Sequence, residues 1–109
     1  MTQTELVSLI DLANQLHDLG RKISRVEESH SMHRNLRRML ASLQDLGLEI
    51  HDPLGESFDE TRTDVEASIS GVSDKDLKVI EVIKPILRFR MDGVPQIVQR
   101  GVVIAGKPT

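Results

Sequence analysis

The 109-residue chain contains no cysteine, no tryptophan and no tyrosine, and its only aromatic residues are Phe58 and Phe89. Without thiols there is no disulfide framework, zinc-thiolate site, iron–sulfur cluster or thiol nucleophile, and this usage fits a reducing, cytoplasmic setting. With so few large rings the core has to be aliphatic. No apolar run approaches the ~20 residues of a membrane span, and the amino-terminal stretch has neither the basic start nor the apolar block of a signal peptide. Fourteen basic side chains stand against 17 acidic ones, net −3, so general attraction to nucleic acid or to an anionic membrane is not expected.

What the chain does have is aliphatic rhythm. Leu9, Leu12, Leu16, Leu19, Ile23 and Val26 follow alternating steps of three and four, the spacing that turns one seam of a helix toward a partner. Leu6, Ile10 and Ala13 add a second stripe, and Thr4 is a candidate N-cap. After the polar break Glu27-Glu28-Ser29-His30-Ser31, where Ser29 or Ser31 is placed to cap, the rhythm returns at Met32, Leu36, Met39, Leu43 and Leu46 and stops at Gly47. Two such seams joined by a short link predict an antiparallel helical hairpin over residues 1–50. About 23 helical residues would span roughly 35 Å, comparable to the diameter of a whole domain of this size, so the hairpin is expected to project or to pack against a second copy. The dimer seam is expected to use Leu6, Leu9, Ile10, Leu12, Leu16, Leu36, Met39 and Leu43.

Beyond residue 50 the pattern changes. Residues 52–66 hold six acidic side chains against Arg62 alone, punctuated by Pro53 and Gly55. This reads as an acidic, flexible loop leading into strand-like alternation at Val65, Ala67 and Ile69. Val79–Ile83 forms a second apolar run before Pro85. Leu87, Phe89 and Met91 alternate with arginines, and Asp92-Gly93 is the dipeptide favoured in two-residue hairpins. A return strand over Ile97–Ile104 completes a small β-rich unit of about four strands, with Pro95 confined to an edge or a bulge. The fold class is therefore α+β, a helical hairpin (1–50) followed by a small β-domain (51–109).

Candidate chemistry is sparse. Glu27, His30 and His33, with His17 approaching from the other helix, have metal-like spacings, but they sit at a solvated helix end and no second Glu-x-x-His accompanies them. Arg21, Lys22, Arg25, Arg34, Arg37 and Arg38 give residues 21–38 a net charge of +4 against Glu27 and Glu28. That patch reads either as a phosphate-binding surface or as a solvated face that attracts an acidic partner, and the lack of interleaved aromatics argues against nucleic acid. Asp52, Asp59 and Asp64 do not follow a calcium-ligand ladder, and neither a phosphate-binding glycine loop nor a serine elbow occurs. No nucleophile, base and orienting group come together, so no catalytic residue, metal or cofactor is expected and the protein is not expected to be an enzyme.

Three segments nonetheless follow one known pattern in order. Glu5-Leu6-Val7-Ser8-Leu9-Ile10-Asp11, then Met39 through Ile50, then Asp52-Pro53-Leu54-Gly55-Glu56-Ser57-Phe58-Asp59 resemble the "ELLPVLD", "LLxxLxxxGVExI" and "DPxGxxFDP" segments of the GrpE family, the nucleotide exchange factors of DnaK-type chaperones. Val79–Lys84 and Ile97–Ala105 look like that family's last two strand segments, so the likeness spans residues 5–105. The chain starts where the family's long N-terminal helical arm would be ending. Glu60 replaces the family's proline, Thr63 a common histidine, and Pro85-Ile86 a Gly-Tyr pair. The resemblance implies a homodimer whose two hairpins form a four-helix bundle. It further implies a β-domain that contacts the chaperone's nucleotide-binding domain through Phe58, Ile83 and Val103 and promotes ADP release. The alternative is a structural or scaffolding dimer that keeps the head and has lost exchange, and a nucleic-acid-binding dimer using the arginines is a third reading.

Overall fold

The computed structural model describes residues 1–71 and 75–108. Helix α1 (Gln3–Ile23) and helix α2 (His30–Asp45) are followed by six strands: β1 (Leu48–His51), β2 (Val65–Ile69), β3 (Lys78–Lys84), β4 (Ile86–Met91), β5 (Val94–Gln99) and β6 (Gly101–Gly106). The class is α+β. Thr2, not Thr4, caps α1: its hydroxyl accepts the backbone N–H of Glu5 at 3.1 Å, while the Glu5 carboxylate faces the positive end of the helix. Ser29 occupies the N-cap position of α2 without a side-chain bond. Gly47, at φ 104°, turns the chain out of α2 and straight into β1, a strand that the helical rhythm had concealed.

The strands form two three-stranded sheets, β1-β4-β5 and β2-β6-β3. Both are built around one long ribbon. β3 and β4 are separated only by Pro85, β5 and β6 only by Arg100, and β4 pairs with β5 while β3 pairs with β6, both antiparallel. Pro85 has no N–H to offer a ladder, so the ribbon breaks there and each half joins a different sheet. The return run Ile97–Ile104 is therefore two strands rather than one, and the described residues of the β-unit form six strands rather than about four. The ribbon turns at Asp92 (φ 54°) and Gly93 (φ 79°), the two positive φ values that a type I′ hairpin requires. Pro95 lies on β5, an edge strand, where its missing donor disrupts no inner ladder.

Two apolar cores result. The first joins Ala13, Leu16, Leu36 and Leu43 of the helices to Leu48 of β1 and Leu87 of β4, with Leu9, Ile10, Leu40, Ile50, Phe89 and Val98 packed around it. The second holds Val65, Val79, Val82, Ile86 and Val103, with Phe58 and Ala67 beside it. The hairpin therefore does not project: its inner face lies on the first sheet of the same chain, so residues 1–50 and 51–109 share one core. Polar bonds fix this docking. Asn14 and Gln99 exchange two side-chain hydrogen bonds at 2.9 Å, and Gln99 Nε2 also donates to the Pro85 carbonyl at the ribbon break.

Candidate functional site

Strand β3 departs from simple alternation. Val79 and Val82 point into the second core while Ile80 and Ile83 face out, and the pairing to β6 shifts register between Val79 and Glu81 and again between Val82 and Lys84. Ile80 and Ile83 are thus the extra residues of two successive β-bulges, and a bulge re-aims the side chain it carries. The result is a pair of solvent-facing isoleucines three residues apart, 39% and 51% exposed. Ile83 is one of the contacts that the family resemblance implies; Ile80 is not among them, and a strict period of two would set it on the same face as Val82.

Phe58 lies beside the second core, half-buried, on a loop laced to the start of β3. Gly55 donates to the Val79 carbonyl, Val79 to that of Glu56, and Phe58 to that of Leu77, at 2.8–2.9 Å. Val103 is only 1% exposed and belongs to the second core. It cannot touch a partner in this fold, because β6 is the middle strand of its sheet and Val103 packs inward between its neighbours. At the surface the geometry leaves Ile80 and Ile83, which face out from β3, while Phe58 and Val103 belong with Val79 and Val82 on the core side.

A closed polar cycle holds the loop in place, which corrects the expectation of flexibility. His51 Nε2 meets Glu56 Oε2 at 2.6 Å, and Glu56 Oε1 meets Arg62 at 3.2 Å. Arg62 donates to both oxygens of Asp64 at 2.9 Å, Asp64 faces Arg88 at 3.7 Å, and Arg88 returns to His51 Nδ1 at 3.1 Å. The hydrogen bond from His51, aided by Arg62, holds the Glu56 carboxyl below its ordinary range. Arg62, with Arg88 behind it, does the same for Asp64, and Asp64 in turn raises Arg62. Asp59 is held low by the hydroxyl and backbone N–H of Thr61. At the other end of β3, Arg21 of α1 donates to the Val82 carbonyl at 3.1 Å and ties the helix to the bulged strand.

The helical seam divides by sevens. Leu9 and Leu16 of α1, with Leu36 and Leu43 of α2, turn toward this chain's own sheet, and Ile23 is buried as well. Leu12, Leu19 and Val26, with Met32, Met39 and Leu46, remain exposed. Of the residues expected at a dimer seam, Leu16, Leu36 and Leu43 are buried within the chain, Leu9 and Ile10 pack against the same core, Leu6 is half-buried, and Leu12 and Met39 are free for another copy. Between the hairpin and β1 runs a cleft of about 500 Å³ with an aliphatic floor of Leu16, Leu36, Leu40, Leu48 and Ile50, and a rim bearing His17, Arg21, Glu49 and Asp52. His17 is bonded to Asp52 at 2.8 Å. Among the described residues, no group of three or more His, Asp or Glu side chains comes together to hold a metal ion, and no helix is long and apolar enough to cross a membrane.

No protein-family model, curated protein or solved structure matches the chain.

Proposed function

We propose that the protein is a GrpE-like co-chaperone: a homodimer whose β-unit binds the open form of a DnaK-type nucleotide-binding domain and promotes ADP release, itself carrying no chemistry. The observation that carries this reading is the pair of bulges that turn Ile80 and Ile83 outward from β3. Two aliphatic side chains on a strand whose start is tied by backbone bonds to the loop before it make a preorganised apolar patch of the kind used at protein interfaces. The segment order shared with the family supplies the identity of the partner. The exposed stripe supports the dimer: Met32, Met39 and Leu46 are evenly spaced by seven, so about a two-fold axis at Met39 each Met32 would meet the partner's Leu46 and the patch complements itself.

A factor without chemistry accelerates release only by binding one conformation better, and linkage requires nucleotide to weaken the complex by the same factor. Typical couplings of 1–3 kcal/mol correspond to roughly a 5- to 150-fold loss of affinity on adding ADP. The test is co-elution with a nucleotide-free DnaK-type chaperone, with and without ADP, together with the rate of release of a fluorescent ADP. Ile83→Asp, an exposed position, is expected to abolish both binding and acceleration while the variant melts as wild type does. Equal binding with and without nucleotide would overturn the exchange reading. Failure to bind at all would leave the scaffolding dimer, for which the Pro85-Ile86 departure at the ribbon break is the specific argument.

A further inference from the structure

The arginines of this protein fall into two groups. In the β-unit, Arg62 and Arg100 are paired to carboxylates, Arg88 to His51 and Asp64, and Arg90 donates to the Gln44 carbonyl. At the far end of the hairpin, Arg25, Arg34, Arg37 and Arg38 are all exposed, and their guanidiniums make no hydrogen bond or ion pair with any described residue. His30, Arg34, Arg37 and Arg38 follow a spacing of three and four and so share one face of α2. Leu36 and Leu43, which α2 buries, lie on the opposite side, and the Met32–Met39–Leu46 stripe runs between the two. The first turn of α2 contains no acidic residue to offset this charge. These four guanidiniums, with only Glu27 and Glu28 nearby in the chain and paired to neither, sit on a chain of net charge −3, and nothing in the packing of the fold requires them.

We infer that this face of α2 is a docking surface for an acidic protein segment, one that presents carboxylates in a row with an apolar side chain among them. Charge complementarity names the sign of the partner, and three further observations name its class. Arginine, unlike lysine, matches the planar fork of a carboxylate. Val26, exposed next to Arg25 in the chain, offers contact to an apolar side chain. Both phenylalanines of the chain lie in the β-unit, so the face offers no ring on which a base could stack. The overall negative charge also opposes a long phosphate backbone or an anionic membrane, each of which would extend past the patch toward the acidic residues of the β-unit, whereas a short segment ends where the arginines end. The inference uses none of the residues of the proposed chaperone contact and stands or falls without it.

The probe is a fluorescein-labelled 20-residue peptide of repeating Glu-Leu-Glu-Glu, titrated with the full-length protein and followed by fluorescence anisotropy. Binding is expected to weaken with added salt. Arg37→Gln/Arg38→Gln is expected to bind about fivefold more weakly, since each exposed pair is worth a few tenths to 1 kcal/mol. The charge-matched variant Lys84→Gln/Lys107→Gln is expected to bind as wild type does. If the arginine double variant melts early, Arg25→Gln, which lies outside both helices, gives the same test. Equal losses in the two double variants, or no binding of the peptide at 100 µM, a concentration on the order of a weak complex, would overturn the inference. So would tighter binding of a 20-base-pair DNA duplex or of phosphatidylserine vesicles lost in the same arginine variant, because the surface would then belong to a different class of ligand.

Discussion

Arg88 donates through Nη1 to Nδ1 of His51 at 3.1 Å. A guanidinium has no acceptor, so Nδ1 must be the lone-pair nitrogen, and the ring proton on Nε2 is the one given to Glu56 at 2.6 Å. The ring is thereby set between a cation and an anion, with Nε2–H on the carboxylate and Nδ1 toward the guanidinium. Leu or Gln at position 51 separates the consequences. His51→Leu leaves Arg88 and Glu56 each short of a partner and is expected to cost about 1–2 kcal/mol, whereas His51→Gln keeps a donor and an acceptor and is expected to cost less. Urea midpoints measure both, and equal shifts would show that the cycle acts by packing alone.

The same cycle predicts how stability responds to acid. In the unfolded chain Glu56 and Asp64 titrate near their ordinary values of 4.5 and 3.8, and in the fold both are held lower. On acidification the unfolded chain therefore binds protons first. The stability these groups contribute is whole above the ordinary values and is lost as pH falls through them toward the folded values. Melting temperature is expected to decline below about pH 5, and to decline less steeply in Arg62→Met, which removes the chief cause of the Asp64 shift and one of the causes at Glu56. Parallel curves for the two proteins would contradict this.

Much of the architecture was legible because it follows from local rules. The three-four rhythm marks both helices, and Asp92-Gly93 marks the ribbon turn. What sequence could not supply is whatever depends on distant packing. Leu16 and Leu19 are equivalent positions of one seam, and only the placement of the sheet decides that the first is core and the second is free. The bulges of β3 break the alternation by which strands are read, so nothing in the sequence marks Ile80 as outward-facing, and the contact at Val103 is implied by the family resemblance alone, which carries no information on its burial. The polar cycle joins residues 51, 56, 62, 64 and 88, whose separations follow no motif; the run of acids was visible, but its partners were not.

The divided seam separates assembly from folding by single substitutions. Leu16 fills the chain's own core, so Leu16→Asp buries a charge and is expected to unfold the protein. Leu19 and Met39 sit on the exposed stripe, so Leu19→Asp with Met39→Asp is expected to yield a folded monomer with wild-type circular dichroism, because nothing within the chain is lost. Light scattering reports the mass. Wild-type protein that is already monomeric at micromolar concentration would remove the dimer.

At the corner where β5 passes into β6 the backbone of Gly101 is closely approached, and this predicts a cost out of proportion to one methyl group. A Cβ added to Gly101 would lie 2.9 Å from Ile86 Cγ1, 3.1 Å from Val65 Cγ1 and 3.4 Å from the Lys84 carbonyl oxygen. Ile86 is fully buried and Val65 nearly so, and neither has open space to move into. Gly101 does not stand in the left-handed region, so the penalty is one of space rather than of backbone conformation. Gly101→Ala is expected to destabilise the protein by about 1–3 kcal/mol, the usual cost of overpacking. Ile86→Ala alone is expected to cost about 2–5 kcal/mol for the cavity it leaves. In the double variant the new methyl enters the space that Ile86 vacates, so the combined loss should fall short of the sum by at least 0.5 kcal/mol, on the order expected for residues in contact. Chemical denaturation of the four proteins measures this coupling, and strict additivity would show that the ribbon corner relaxes and that the close approach of Gly101 to Ile86 does not constrain the fold.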